Sequence, residues 1–158
     1  MNEASWWSDS APLMQTVPSD SMVLTEKALP PTGSIFAARM NGREMSDVDG
    51  VFTQFYDNLR LPNYFGWNWN ALRDCLFDLQ WLDATKCLVV IDDSEFILTE
   101  DADERSTFFQ VLSDATEYWA VKPALTGRPK TSLRIVLLCQ IDVRKRLDSE
   151  ISESQSSR

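Results

Sequence analysis

The residues best placed to do chemistry lie in NYFGWNWNALRDCLFDLQW, positions 63–81. At about 100° per residue, Asn70, Asp74 and Asp78 succeed one another at i, i+4 on one helical face, opposite an apolar stripe of Leu72, Cys75, Leu76 and Leu79. Carboxylates in such a row bind arginine and lysine through charge-assisted hydrogen bonds. Taken on its charges, the row reads as an ordinary solvated helix face. The loop before it changes the reading. Tyr64, Phe65, Trp67 and Trp69 are more large aromatics than one core absorbs beside a polar row, and aromatics framing acidic and amide groups make the composition of an interface hot spot.

A second acidic group, Asp92, Asp93 and Glu95, follows an apolar run where open α/β sheets often place their sites. Three carboxylates there can hold a hydrated Mg²⁺, but the preferred reading is a helix start, because acidic residues suit the positive end of a helix and no second acidic cluster accompanies them. The chain has no histidine, which removes the commonest general base and metal ligand, and with them His-based triads and zinc sites. Cys75, Cys87 and Cys139 are widely spaced among apolar residues and read as reduced core thiols. The aromatics invite comparison with single-strand nucleic-acid platforms, yet such sites track the backbone with cations, and this stretch offers only Arg73 beside Asp74 and Asp78. The RKR run at 144–146 reads as a solvated tail.

Charge points the same way. A net charge of −9 over 158 residues, with a pI near 4.4, repels nucleic acid and anionic membranes and favours basic proteins as partners. The first residues lack a secretory pattern and no stretch approaches the roughly 18 apolar residues of a membrane span, so the expectation is a cytoplasmic protein.

The elements that must position the acidic row follow from periodicity. Residues 1–32 are rich in Ser, Pro and Asp, end in LPPTG, and read as an extension that is largely loop or poorly ordered, with Trp6 and Trp7 as an anchor on the domain surface. SIFAARM (34–40) reads as a strand with Asn41-Gly42 as its turn. A helix follows, capped by Ser46 with Asp49 three residues on, its buried face carried by Val48, Val51, Phe52, Phe55 and Leu59, and its end set by Pro62. Asn68 caps the helix of the opening stretch. KCLVVI (86–91) is the kind of apolar run buried on both faces of a parallel sheet. A further helix from about Glu104 places Phe108, Val111, Leu112, Ala115, Tyr118 and Trp119 on one side. TGRP breaks it before a last strand, LRIVLLC (133–139), and 142–158 reads as a polar, frayed tail. Strands alternating with helices predict one α/β domain over 33–141, with a parallel sheet joined by right-handed crossovers.

LPNYFGWNWNALRDCLFDL resembles the signature of the barstar family, small intracellular inhibitors of secreted bacterial ribonucleases, in its Leu-Pro, paired aromatics, Gly, Asn, Ala-Leu and Asp-Cys-Leu. The resemblance extends over 33–139, and FQVLSDA (109–115) is similar to the family's later helix, with Asp114 at its acidic position. It implies a small three-stranded parallel sheet packed with helices and a stoichiometric inhibitor, monomeric when free, with no cofactor and no enzymatic activity. The implied partner is a basic ribonuclease or nuclease toxin. By position, Asp74 would be the central phosphate mimic, Asp114 a second acidic contact and Tyr64 an aromatic contact, with Gly66 and Asn68 shaping the loop. The chain departs from the family pattern at Asn70, where an aspartate is usual in the best-known inhibitor, at Arg73, where it has tryptophan, and at the bulky Trp67 and Trp69. Asn70 removes a negative charge, and Arg73 is expected to neutralise part of Asp74. These changes imply a different cognate enzyme with more aromatic packing and less charge matching, or a non-nuclease protein bound by the same fold.

Overall fold

Strands and helices alternate through the residues that the computed structural model describes, 6–19, 34–124, 127 and 130–156. In chain order they are β1 (Met14–Pro18), β2 (Ile35–Asn41), α1 (Val48–Asn58), α2 (Trp69–Leu76), β3 (Lys86–Asp92), α3 (Arg105–Val121), β4 (Ser132–Cys139) and α4 (Arg144–Ser156), joined by loops and short 3₁₀ turns. The LPPTG segment falls outside the described residues, as does TGRP apart from Gly127.

The sheet is parallel throughout, in the order β1-β4-β3-β2. Its central strands β3 and β4 are buried on both faces, as their continuous apolar runs require, whereas β2 lies at the edge and alternates. There Ala38 and Met40 face the core, while Arg39 turns out and grips Asp92 of β3 with two bonds of 2.6 and 2.8 Å.

The expectation of three strands is corrected to four. The added strand β1 comes from the 1–32 segment that reads as largely loop; it pairs with β4, Thr16 opposite Leu137. MQTVP is too short and too polar to announce itself by alternation, and its pairing depends on an edge formed 120 or so residues later in the chain. The expected frayed tail is likewise a helix, α4. Leu147 and Ile151, one turn apart, enter the core, and Arg105 of α3 holds Glu150 at 2.6 and 3.1 Å. Asp148 accepts a 2.5 Å bond from Thr16 of β1, and Arg144, the first residue of the RKR run, donates to the same hydroxyl. The two segments outside the expected domain are therefore fastened to each other as well as to the sheet.

All four helices contribute to the core on one face of the sheet, where Phe55, Leu72, Phe108, Leu112 and Leu147 meet Met40, Ile91 and Leu137. The other face, Leu88, Val90, Val136 and Leu138, is covered by Trp6 and Trp7, which are buried at 3% and 8% exposure. The tryptophans thus seal a second, smaller core. Arg134, on that same face, donates to the Trp6 carbonyl at 2.9 Å, and burial pushes its pKa down.

Local signals mostly hold, with one shift. Helix α1 is capped by Asp47, whose carboxylate accepts from Gly50 N at 2.7 Å; Ser46, one residue earlier, donates instead to Glu100. Gly42 follows β2 because nothing larger fits: a Cβ there would lie 2.3 Å from the Asp93 carbonyl oxygen. The second acidic group is engaged by the chain itself. Asp92 pairs with Arg39, Asp93 with Arg43 at 3.1 Å, and Glu95 accepts from Gln140 N. The expected helix start is a short 3₁₀ turn, Ser94–Phe96, without a side-chain cap; Ser94 donates back to the Ile91 carbonyl. Cys75, Cys87 and Cys139 are free and buried, and burial pushes the Cys87 thiol up to about 12. Among the described residues, no helix is long and apolar enough to cross a membrane.

Candidate functional site

Helix α2 rises from a loop that the sequence builds with care. Asn68 accepts from Ala71 N at 2.9 Å through its side-chain oxygen and donates to the Gly66 carbonyl at 3.1 Å through its amide, so one residue both caps the helix and closes the loop before it. Gly66 allows this closeness, since a Cβ would sit 3.3 Å from the Asn68 amide nitrogen and 3.4 Å from Ala71 Cβ. Replacing Asn68 with Ala is expected to cost about 1 kcal/mol, the usual worth of such a cap. Chemical denaturation measures it, and an unchanged unfolding midpoint would show that the cap contributes nothing.

The four aromatics of the loop divide evenly. Phe65 is buried against Phe52 and Tyr56, and Trp69 turns inward between Phe52 and Phe108, its indole N–H donating to Glu104 at 2.8 Å. Tyr64 and Trp67 stay outside, 72% and 47% exposed. Trp67 adopts a left-handed backbone, φ 54°, and its ring lies over Tyr56 and Phe65 at 5.2 and 5.3 Å. A large side chain in this region carries strain of order 1–2 kcal/mol, the kind that surrounding structure must hold in place. The Tyr64 hydroxyl reaches Asp78 at 3.4 Å, which ties the loop to the far end of the acidic row.

On that row Asn70 and Asp74 are exposed, and neither takes a hydrogen bond or ion pair from the described residues. Arg73 does not turn to Asp74, the neighbour it was expected to neutralise. Its Nη2 lies 2.7 Å from Asp114 Oδ2 on α3, and the other oxygen of Asp114 accepts from Gln110 at 2.9 Å. Arg73 and Asp114 are thus brought together, while Asp74 stands apart with its charge uncovered. Gln110 stands four residues before Asp114 on α3, an i, i+4 spacing that offers this bond along the helix; it joins the site only because the packing of α2 on α3 brings Arg73 to the same carboxylate.

The end of α2 is anchored by the same packing. Trp119 donates its indole N–H to the Leu76 carbonyl at 2.7 Å, and Phe77 stacks on Tyr118 at 4.3 Å with ring planes 5° apart. Beyond it opens a groove of about 830 Å³ lined by Asp74, Asp78, Asp83, Phe77, Tyr118 and Lys122 among others. Lys122 already lies over Tyr118 and Trp119, 5.3 and 4.8 Å from the ring centres. Burial, then the Asp74 and Asp78 carboxylates, push the Cys75 thiol up.

The surface thus offers one open carboxylate at its centre, two exposed aromatics beside it and a firmly held helix under both, an arrangement suited to gripping a protein cation. No curated protein matches the chain. The family model described as Barstar (barnase inhibitor) matches residues 35–137, from β2 through the signature loop and α2 into β4. With well over half of its length in that match, the chain belongs to the barstar family.

Proposed function

We propose that the protein is a non-enzymatic immunity protein that binds a cognate ribonuclease or nuclease toxin one to one, closing its active site with the surface from Tyr64 to Asp78. In this reading Asp74 takes the place of an RNA phosphate, Tyr64 and Trp67 pack against the rim of the enzyme's site, Asn70 adds a neutral hydrogen-bonding group, and Gly66 and Asn68 hold the loop in shape. The observation that carries it is Asp74 itself: an exposed carboxylate with no hydrogen bond or ion pair among the described residues, on a helix fixed at both ends. Arginine and lysine side chains that hold phosphate accept a carboxylate through similar bonds. The net charge of −9 speeds encounter with a basic enzyme, an effect for which the barnase–barstar pair is itself the standard example. The protein is a monomer when free of its partner, works in the cytoplasm and uses no cofactor.

Two features support a second reading, in which the same fold binds a protein other than a nuclease. Asn70 lacks a charge, and Asp114 is already paired with Arg73. One experiment separates the two: wild-type protein and Asp74→Ala serve as paired baits in lysate of the native cell and its neighbours, and any nuclease retained by wild type alone is titrated for loss of activity. The inhibitor reading expects activity to vanish at one equivalent. Retention of the same proteins by both baits, with no nuclease among them, sends the function to the second reading.

A further inference from the structure

The Arg73–Asp114 pair changes what this surface selects. Both oxygens of Asp114 are engaged inside the molecule, by Arg73 at 2.7 Å and Gln110 at 2.9 Å, and its side chain is only 22% exposed. Asp114 is therefore a poor contact for an incoming cation. Arg73 keeps 38% of its side chain exposed, one residue before Asp74 in α2. Among the described residues its Nε is buried without a partner, and its Nη2 is held by α3, so the group is seated and cannot swing away from an approaching surface at no cost. One open carboxylate and one fixed cation thus stand on adjacent residues of the same short helix.

Such a surface reads charge in alternation. A partner cation that reaches Asp74 arrives next to Arg73 and is repelled by it, unless the partner also brings an acceptor for the guanidinium. A planar guanidinium with N–H groups to spare is well matched to a carboxylate. We propose that Arg73 is a specificity-determining residue, which makes the site select a protein partner with an acidic side chain beside the cation taken by Asp74 and disfavour a nuclease whose facing surface is uniformly basic. This rests on the inhibitor reading and narrows it to a class of enzyme. The competing account, that the pair only fastens α2 to α3, predicts a loss of stability on removing Arg73 and no gain in affinity for anything.

The two accounts therefore differ in sign. The probe is barnase, the ribonuclease in the family's own description, taken as a basic partner and titrated calorimetrically against full-length wild type, Arg73→Gln, Arg73→Lys and Asp74→Ala at low and moderate salt. Arg73→Gln is expected to bind at least tenfold tighter than wild type, by removing a like charge and releasing Asp114, with the gap narrowing as salt rises. Arg73→Lys, which keeps the charge, is expected to stay within a few-fold of wild type. Binding that depends on Asp74 but is unchanged or weakened in Arg73→Gln overturns the specificity role alone. Absence of binding by every variant, with each shown to be folded by circular dichroism, overturns the inference, because removing Arg73 then does not admit a basic nuclease; the inhibitor reading is decided separately, by titration of the captured partner.

Discussion

Asp74→Ala is expected to weaken binding of the cognate partner by about 2 kcal/mol or more, roughly thirtyfold, while unfolding shifts by no more than about 0.5 kcal/mol. The two halves have separate causes. In the free protein Asp74 is exposed and makes no hydrogen bond or ion pair with the described residues, so folding loses no contact when it is truncated. It also stands near the C-terminal end of α2, where a carboxylate faces the negative end of the helix dipole, and alanine is the better helix former. The native residue is therefore slightly unfavourable for the fold, and the substitution is expected to stabilise by a few tenths of a kcal/mol. In the complex the carboxylate is desolvated against a cation, and deleting it leaves that cation buried and unpaired. Urea unfolding of both proteins and calorimetric binding to the captured partner measure the two quantities. A loss of stability as large as the loss of affinity would make Asp74 a structural residue and remove it from the centre of the interface.

Trp119→Ala is expected to lose about 3–5 kcal/mol of folding stability, the range for deleting a large buried aromatic. Trp119 is 6% exposed and packs against Tyr118, and Lys122 covers it. Its indole N–H is the partner of the Leu76 carbonyl, the last residue of α2. Removing the ring leaves both a cavity and a buried carbonyl without its donor. Against a total stability of about 5–15 kcal/mol this is a large share, and the site is affected too, because the end of α2 that carries Asp74 and lines the groove loses one of its anchors. Trp119→Phe keeps most of the packing and lacks only the bond, so about 1–3 kcal/mol is expected. Equilibrium unfolding in urea separates the two variants. An alanine variant less than about 1 kcal/mol below wild type would show that α2 is positioned by other contacts.

Much of the site was legible in the sequence because it is locally encoded. The Asn68 cap and the face opposite Leu72, Cys75 and Leu76 depend on spacing within a few residues, and the two apolar runs of β3 and β4 follow from burial on both sides. Even the one-residue error at the start of α1 is of this kind, since Ser46 and Asp47 are both capping types and only the path of the chain toward Glu100 separates them. The order of the elements between 35 and 137 also belongs to the sequence, through the family signature.

Other features depend on residues that meet only after folding. β1 pairs with an edge of β4, and α4 presents only a brief apolar face, Leu147 and Ile151, so neither has a local signal strong enough to read. Trp6 and Trp7 announce burial by their size but not which face of the sheet needs covering. The aromatic loop shows the same limit: four similar residues between positions 64 and 69, two taken into the core and two left outside, according to where Phe52, Tyr56 and Phe108 stand. Arg73 is the sharpest case. Along the chain its nearest acid is Asp74, but adjacent helical residues diverge by about 100°, and the acid that α3 brings to the correct side is Asp114. The sequence by itself determined most of the groups of the candidate site; the tertiary structure decided which of their charges stay open, because a helical stripe specifies a buried face and not the neighbours it meets.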